Sequence, residues 1–297
     1  MRVALEHWNA LVSVVESGGY AKAGERIHKS QSSLTYGIKK LERLLGVKVF
    51  ELRGRRAVLT PTGELLYRRA KALLDDAARL EQAAGDLAQG WETQIRLAVE
   101  ILFPTWLLLR CLDEFAQARP DTRIELIESV LGGTDEALAG RSVDLAIGSR
   151  VPPGFSGDAL MPVRFVCAAA PGHPLHRLGR TLSLEDLRGH RHLVIRDSGV
   201  QRTRPGAGWV SEARWTVTSK ATSIRAAEMG LGFAWYPEHS IREELDSGRL
   251  KPLPLGEGAE RYAHLYLVFA DRDAAGPGAR RLAEIIRARV REACLER

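Results

Sequence analysis

The fold of this chain is decided by residues 30–46, which read SQSSLTYGIKKLERLLG. Ser30 is a favourable N-cap and Gly46 is a favourable residue just after a helix, so the stretch predicts one helix between them. Leu34 and Ile38, with further leucines, recur at the spacing of one helical face, whereas the opposite face is polar and basic. Such a helix must pack its apolar side on a core while its polar side stays accessible.

Two shorter segments before this helix complete an arrangement with a known use. Apolar residues at helical spacing predict helices over residues 5–16 and 20–27, and His28-Lys29 then makes a tight turn. A short helix, a tight turn and a polar-faced helix are the parts of a helix-turn-helix, whose last helix enters the major groove of DNA. Amide and hydroxyl groups there suit base edges, and lysine or arginine suits phosphate.

Residues 47–59 predict a hairpin that extends the same module. They read VKVFELRGRRAVL, two short apolar strands around a tip that contains Gly54 and arginines. A basic tip suits a wing that lies along a phosphate backbone or in a minor groove. The sequence therefore predicts a winged helix-turn-helix. Its expected DNA-binding residues are Lys29, Gln31, Ser32, Ser33, Thr35, Tyr36, Lys39, Lys40, Arg43, Arg53, Arg55 and Arg56.

The distribution of charge supports this prediction. Residues 1–62 contain eleven lysines and arginines against five acids, an excess equal to the net charge of +6 for all 297 residues. The other residues carry equal numbers of basic and acidic side chains. A basic module joined to a neutral body predicts one part that binds a polyanion and another part with a different task.

Thr60 and Pro61 predict the start of a long helix after the wing. Its apolar residues alternate four and three positions apart for about three heptads, which is typical of a coiled-coil seam. The seam consists of Leu66, Ala70, Leu73, Ala77, Leu80, Ala84 and Leu87. We expect it to pair with a second copy of the chain, and packing against the chain's own body is the alternative. A symmetric dimer would place two recognition helices about 34 Å apart, or a multiple of that distance.

Beyond residue 93 the sequence alternates between strand-like and helix-like segments. This alternation predicts an α/β body with mostly parallel sheets. Two short strands are expected near residues 159–161 and 165–170, and one helix is expected over residues 238–245. A chain of this length favours two or three domains over a single core.

Several classes of protein are disfavoured. No nucleophile elbow, zinc-protease motif, phosphate-binding loop or dinucleotide-binding motif is present, which argues against an enzyme. Six histidines of the body lack metal-ligand spacing, so we expect no metal and expect each one to be exposed or hydrogen-bonded: His173, His176, His190, His192, His239 and His264. The three cysteines form no CxxC pair, which fits a reducing cytoplasm. No apolar run approaches the roughly 20 residues that span a bilayer, so no membrane partner is expected.

With these segments in order, the chain resembles the LysR-type transcriptional regulators over essentially its full length. The resemblance is carried by residues 30–50 and by LTPTGE at residues 59–64, with further landmarks in VDLAIG at 143–148, HPL at 173–175, GLGFA at 230–234 and Pro237. The chain departs from the family at Gly24, where an alanine is usual and glycine should cost the helix up to ~1 kcal/mol. Tyr36 and Gly37 also replace long polar residues, so the operator sequence would differ.

The resemblance implies a domain plan and a set of partners. It implies a winged helix-turn-helix over residues 1–60, a linker and dimerisation helix over 61–90, and an effector-binding domain over 91–297. The last domain would have two subdomains like a type II periplasmic binding protein, the first over residues 94–162 and 269–297 and the second over 163–268. The implied partners are double-stranded promoter DNA, further copies of the chain in a homodimer or homotetramer, and RNA polymerase.

By the same resemblance, a small-molecule effector would bind in the cleft between the subdomains, and no cofactor is implied. The expected lining is Glu100, Ile101, Leu102, Phe103, Ser129, Val130, Arg196, Asp197, Ser198, Ser219 and Trp235. Helix N-termini would attract anions there, whereas Glu100, Glu128 and Asp197 would attract an amine. A simple acid and an amine-bearing, zwitterionic or aromatic effector all stay open. So does internal pairing of the acids with Arg196, Lys220 or Arg225.

The predicted function is therefore a sequence-specific DNA-binding transcriptional regulator whose promoter binding or activation is modulated by a small molecule. The alternative is a small-molecule-binding α/β protein, or an enzyme, with a non-specific DNA-binding appendage. A binding protein would not need the basic module, and an enzyme would need a catalytic constellation that the sequence lacks.

Overall fold

The structure, a computed structural model, describes residues 3–53, 56–88, 90–200, 210–256 and 258–295. The chain divides into two units, Met1–Gln89 and Gly90–Arg297. Each unit has hydrophobic cores of its own. No helix within the described ranges has the length and apolar character needed to cross a membrane.

Within its described residues, the first unit consists of four helices and one hairpin. Its elements are α1 Leu5–Glu16, α2 Tyr20–Arg26, α3 Gln31–Leu45, β1 Phe50–Arg53, β2 Arg56–Leu59 and α4 Pro61–Ala88. β1 and β2 pair antiparallel, with Phe50 opposite Leu59. The order predicted for a helix-turn-helix, a hairpin and a long helix is confirmed.

The helix α3 begins and ends where its sequence predicts. The Ser30 hydroxyl accepts a hydrogen bond from the backbone N–H of Ser33 at 3.2 Å, and Gly46 has a left-handed φ of 67°. Leu34 and Ile38 are buried with Ala10 of α1 in one core. Each such buried aliphatic side chain stabilises the fold by about 1.5–3 kcal/mol, so the polar face of α3 is held outward.

Gly24 makes the turn between α2 and α3 tight. The Lys29 N–H donates to the Gly24 carbonyl oxygen at 2.9 Å, and a Cβ atom on residue 24 would lie 2.5 Å from the Lys29 carbonyl oxygen. No real Cβ contact is that short. Glycine therefore does more here than lower the stability of the helix, because the turn as it stands leaves no room for a Cβ atom at residue 24.

Within its described residues, the second unit has nine strands and six α-helices. They are β3 Gln94–Glu100, α5 Thr105–Ala118, β4 Arg123–Ser129, α6 Gly132–Ala139, β5 Leu145–Gly148, β6 Gly157–Ala169, α7 Leu184–Arg188, β7 His192–Ile195, β8 Arg214–Val217, α8 Lys220–Glu228, β9 Ala234–Pro237, α9 Arg242–Asp246, β10 Lys251–Pro252, β11 Arg261–Phe269 and α10 Pro277–Leu295. The helix expected over 238–245 is instead a 3-10 turn, Glu238–Ser240, followed by α9. Ile241 separates the two and is fully buried.

Seven of the strands form one mixed sheet in the order β10-β6-β11-β5-β3-β4, with β9 also paired to β6. β3 runs parallel to β4 and β5, but β11 and β6 run antiparallel to their neighbours. β7 and β8 form a separate parallel pair. The expectation of mostly parallel sheets is wrong, because alternation of strands and helices does not report the direction of the strands that return across the sheet.

β6 is one strand of 13 residues, where two short strands were predicted. Pro162 interrupts the strand pattern in the sequence, and proline cannot donate to a ladder. It is tolerated because β6 pairs only with β11 at that point, and β9 joins from Phe165 onward.

The long strand β6 passes between two hydrophobic cores of the second unit. Met161 and Val163 belong to a core with α5 and α10, which we call the first lobe. Cys167 and Ala169 belong to a core with α7 and Phe233, which we call the second lobe. A cleft is open between the two lobes.

Candidate nucleic-acid interface and ligand cleft

The outward face of α3 carries the side chains that the sequence predicts for DNA. Gln31, Ser32, Ser33, Tyr36, Lys39 and Arg43 are exposed, Thr35 and Lys40 are half-buried, and Lys29 is exposed in the preceding turn. Five of these residues line one shallow depression: Gln31, Ser32, Thr35, Tyr36 and Lys39. Amide, hydroxyl, aromatic and cationic groups thus lie together on a rigid helix.

Two of the hydroxyl groups on this face already have partners within the first unit. Thr35 donates from Oγ1 to the Gln31 carbonyl oxygen at 2.8 Å, and the Ser32 hydroxyl shares a 2.9 Å hydrogen bond with that of Ser30. The Tyr36 side chain is 62% exposed, and the Lys40 ammonium lies 5.9 Å from its ring centroid. The Gln31 amide and the Tyr36 ring are exposed on this face and are not engaged in these two hydrogen bonds.

The predicted wing is present as the β1–β2 hairpin, in which Arg53 stands opposite Arg56. Arg55 lies outside the described residues, and so do the side chains of Arg53 and Arg56. Contact of these three arginines with a phosphate backbone stays a prediction.

The predicted seam of α4 divides into two parts. Ala70 is 2% exposed and Leu66 packs beside Leu11 in the core of the first unit, so this end of the seam is buried within the first unit and not against the body. Further along, Leu73 is 39% and Leu80 is 73% exposed. Ala77 is half-buried, Ala84 is exposed, and the Leu87 side chain lies outside the described residues.

The cleft of the second unit has a volume of about 1840 Å³ and borders both lobes. Seven of the predicted residues line it: Glu100, Ile101, Leu102, Val130, Arg196, Asp197 and Trp235. Four others do not line it: Phe103, Ser129, Ser198 and Ser219.

Each of the four has a different structural task. Phe103 is 2% exposed in the core of the first lobe. The Ser129 hydroxyl is hydrogen-bonded to that of Thr134 at 2.7 Å, and the Ser219 hydroxyl caps α8. Ser198 accepts from the Val130 N–H at 2.9 Å and donates to the Val130 carbonyl oxygen at 3.1 Å, which ties the chain after β7 to the first lobe.

Glu100 borders the cleft but is held by its own protein. The side chain is 2% exposed, and its carboxylate accepts from the Ser149 hydroxyl at 3.1 Å and from the backbone N–H groups of Ser149 and Leu131 at 2.5 and 3.3 Å. Burial raises the pKa of Glu100, and these donors oppose the shift. Glu100 therefore joins two loops of the first lobe, and neither Arg196, Lys220 nor Arg225 is the partner that holds it.

The other acids at the cleft also have partners. Asp135 forms an ion pair with Arg150, and this hydrogen bond raises the pKa of Arg150. Asp197 accepts from the Gly199 N–H and Glu136 accepts from the Val200 N–H, each at 2.8 Å. Glu128 is exposed and does not line the cleft. The acids thus provide a weaker site for an amine than the sequence suggested.

Sequence reasoning did not place five basic side chains in the lining of the cleft, although it named Lys220 as a possible partner of the acids: Arg150, His192, Arg214, Lys220 and Arg261. Lys220 directly follows the capping residue of α8 and Arg261 opens β11, so both lie beside segments that the sequence marked. Lys220 donates from Nζ to the Ile101 carbonyl oxygen at 3.1 Å, which ties α8 to the first lobe. Burial lowers the pKa of Lys220, and the charge of Glu128 opposes this.

His192 contradicts the expectation that every histidine is exposed or hydrogen-bonded. Its side chain is 6% exposed, and its Nδ1 has no hydrogen-bond partner within the described structure. Burial, with the charges of Arg261 and Arg214, lowers the pKa of His192 to about 4, so the ring is neutral near pH 7. Over the part of the chain that the structure describes, no group of His, Cys, Asp or Glu residues could hold a metal ion.

Comparison with known proteins matches both units to one family. Residues 5–64 match the model for a bacterial regulatory helix-turn-helix protein of the lysR family. Residues 88–291 match the model for a LysR substrate binding domain.

Curated relatives of this chain are also transcriptional regulators. The uncharacterised HTH-type transcriptional regulator YeeY of Escherichia coli is 29% identical over 255 residues, which cover 84% of this chain and 82% of YeeY. The RuBisCO operon transcriptional regulator of Allochromatium vinosum is 26% identical over 295 residues, 96% of either chain.

Solved structures show the same fold at lower identity. CrgA, a LysR-type transcriptional regulator from Neisseria meningitidis, has a TM-score of 0.53 at 23% identity, covering 97% of this chain and 98% of CrgA. Full-length BenM has a TM-score of 0.51 at 22% identity, covering 98% of this chain and 98% of BenM.

Proposed function

This chain belongs to the LysR family of bacterial transcriptional regulators, and from that premise we propose that α3 reads a promoter sequence and that a small molecule in the cleft controls this binding. The chain is a DNA-binding regulator and not an enzyme, because its family and its curated relatives are transcriptional regulators. We further propose that exposed residues of α3 read DNA, that copies of the chain pair, and that the cleft binds the controlling ligand. The place of action is then the cytoplasm, where promoter DNA lies.

The exposed face of α3 is the observation that supports DNA reading. Burial of Leu34 and Ile38 and the Ser30 cap fix the orientation of the helix, so Gln31 and Tyr36 reach outward from a rigid support. Gln31 can bond in two places to an adenine edge, a contact worth about 1–3 kcal/mol of discrimination. Lys39 and Arg43 on the same face suit phosphate, which adds affinity without sequence preference.

Exposed apolar surface supports a homodimer or homotetramer. Leu73 and Leu80 of α4 are large, apolar and exposed. Exposed apolar residues along a heptad seam are typical of a surface that pairs with another helix. Among the described strands of the second unit, β4 lies at the edge of the sheet and pairs only with β3, and Leu126 on it is 37% exposed. A two-fold pair would double the basic module and match a palindromic operator.

Hydrogen bonds between the lobes support control by a ligand. Lys220 bonds to Ile101 and Ser198 bonds to Val130, and each pair joins the two sides of the cleft. A ligand that binds better to one arrangement of the lobes would shift the population toward it. We include RNA polymerase among the partners, since a regulator bound at a promoter acts through it.

A gel shift at graded salt tests the proposal. The full chain is titrated onto the intergenic DNA beside its own gene and onto a scrambled duplex of equal length. We expect preference for one palindromic site and a steep loss of affinity with salt, because released counterions drive phosphate contact. The Gln31→Ala variant should lose about 1–3 kcal/mol of binding to that site and little binding to the scrambled duplex.

The matched control is Gln117→Ala, the same change on α5 of the second unit, where Gln117 bonds to Asp113. It should leave both affinities unchanged. Equal binding of the two duplexes by the unmodified protein would instead favour a non-specific DNA-binding appendage and overturn the proposed reading of sequence.

A further inference from the structure

We propose that Arg261, Trp235 and His192, on the second-lobe side of the cleft, form a binding site for a planar aromatic carboxylate. This proposal rests on the proposed function, because it names the class of ligand that the cleft takes. The three residues come from the starts of β11 and β7 and from β9, and all three line the cleft.

The balance of partnered and unpartnered charge favours an anion. The acids that line the cleft each have donors: Glu100, Asp135, Glu136 and Asp197. Arg196 and Arg261 also line it, and no acid among the described residues pairs with either. Lys220 donates to a carbonyl and a hydroxyl oxygen instead of a carboxylate. A cleft with satisfied acids and unsatisfied cations attracts negative charge.

Arg261 is positioned for one flat anionic group. Its guanidinium carbon lies 3.8 Å from the centroid of the Trp235 ring, so the two groups are stacked. Trp235 donates from Nε1 to the Gly258 carbonyl oxygen at 3.3 Å, which fixes the ring that supports the guanidinium. Stacking leaves the N–H edge of arginine free, and that edge matches the two oxygens of a carboxylate.

His192 adds a buried polar atom without a partner. Its ring stacks on Phe233 at 5.2 Å with an interplanar angle of 4°, and it meets Trp235 edge-on at 5.5 Å. The side chain is 94% buried by area and lines the cleft, yet Nδ1 has no partner in the described structure. An orphaned polar atom in such a place costs free energy of about 1–3 kcal/mol, which a hydrogen bond from Nδ1–H to a carboxylate oxygen of a ligand would recover.

Aromatic side chains around the cleft favour a ring on the ligand over an aliphatic chain. Besides Trp235, the lining includes Phe155, Phe165, Tyr236 and Tyr262. Aromatic pairs gain energy beyond the burial of their area, which selects a planar ligand over a puckered ring of equal size. The guanidinium of Arg261 beside such a wall fits a ring that carries a carboxylate.

Calorimetric titration of the full chain with three probes tests the ligand class. Benzoate has the proposed charge and shape, cyclohexanecarboxylate has the charge without the planar ring, and benzylamine has the ring with the opposite charge. We expect benzoate to bind, cyclohexanecarboxylate to bind at least about fivefold more weakly, and benzylamine to show no heat.

Two variants and one control locate the site. Arg261→Gln should weaken benzoate at least about tenfold, because it removes the charged fork. Trp235→Leu should reduce the preference for benzoate over cyclohexanecarboxylate. Arg188→Gln is the control, since Arg188 is an exposed residue of the second lobe that pairs with Glu185 and does not line the cleft. Thermal melting of each variant without ligand checks its folding.

Several results would overturn the proposal. The proposal would be overturned if benzylamine bound as tightly as benzoate. It would also be overturned if benzoate did not bind to the unmodified chain. Benzoate binding that survives in folded Arg261→Gln would also overturn it. If a variant does not fold, the selectivity of the unmodified chain among the probes still decides. Gel shifts keep the two proposals apart, because benzoate binding without sequence-specific DNA binding would overturn only the proposed function.

Discussion

At the scale of single residues, Tyr36 is a large aromatic side chain on the polar face of α3. Its ring is exposed on the outward face of α3, and Thr35 beside it has its hydroxyl bonded to the helix backbone. The surface they offer is more apolar than the sequence first suggests. In the major groove the apolar group within reach of such a surface is the C5-methyl of thymine.

We expect Tyr36 to read a thymine methyl group. Replacing that thymine by deoxyuridine in the operator should weaken binding by about 0.8 kcal/mol, roughly fourfold, which is the value of one buried methyl group. Tyr36→Ala should lose a similar factor on the normal operator and become insensitive to the deoxyuridine. Tyr36→Phe should behave like the unmodified chain. A loss in Tyr36→Phe with no deoxyuridine effect would instead assign the hydroxyl to a phosphate contact.

Glu100 shows what residue-level prediction can and cannot reach. Its place at the end of a strand puts it beside the cleft, as expected from the resemblance. Its partners Ser149 and Leu131 lie 49 and 31 residues away in the chain, and nothing in the local pattern connects them. Arg261, Trp235 and His192 are likewise far apart in the chain, so the local sequence pattern does not predict that they lie together.

At the scale of elements, the local signals predict ends of helices better than the paths of strands. Ser30 and Gly46 bound α3 because a cap and a left-handed residue act on their immediate neighbours. Two short strands were predicted where β6 is continuous, and the tolerance of Pro162 within β6 depends on which strands lie beside it. The helix expected over residues 238–245 fails for a similar reason, since the burial of Ile241 is decided by the tertiary core.

The seam of α4 allows a direct test of pairing. Leu80 is 73% exposed, so Leu80→Glu should not disturb the isolated unit, yet it would bury a charge in a coiled-coil partner. We expect the dimer dissociation constant to rise at least about tenfold in analytical ultracentrifugation. Operator affinity should fall with it, because one module then binds alone.

Ala78→Glu is the control for this change. Ala78 is exposed on the same helix but faces away from the seam by helical spacing, so its substitution should leave the dimer intact. A Leu80→Glu protein that remains as dimeric as the control would show that α4 does not form the interface.

At the scale of the whole molecule, two buried histidines make the second unit sensitive to acid. Burial and the nearby charges of His190 and His176 lower the pKa of His173 to about 4, and His192 has a pKa of about 4 for the causes given above. Both rings are more basic in the unfolded chain, whose histidines titrate near 6.5. The unfolded state therefore binds more protons between these values, and stability falls as the pH drops from about 6.5 toward 4.

Glu100 acts in the opposite direction. Its pKa is raised in the folded state, so its contribution to stability is present at low pH and is lost as the pH rises through that value. Acidification thus costs stability through the histidines and through carboxylates whose pKa is lowered in the folded state, such as Asp158 and Glu228, but not through Glu100. Each histidine should account for roughly 2–3 kcal/mol over the whole window, given 1.36 kcal/mol for each unit of pKa shift.

We expect the urea midpoint of the second-unit transition to fall steadily between pH 6.5 and 4. The double variant His173→Asn, His192→Gln should show a much flatter dependence, because it removes both titrating rings while asparagine keeps an acceptor for the Leu175 N–H that His173 now serves. His264→Gln is the control, since His264 is exposed and its replacement should leave the slope unchanged. If the urea midpoint of the double variant depends on pH as steeply as that of the unmodified chain, groups other than these two histidines cause the acid sensitivity. Protonation of His192 would then not lower the stability of the fold.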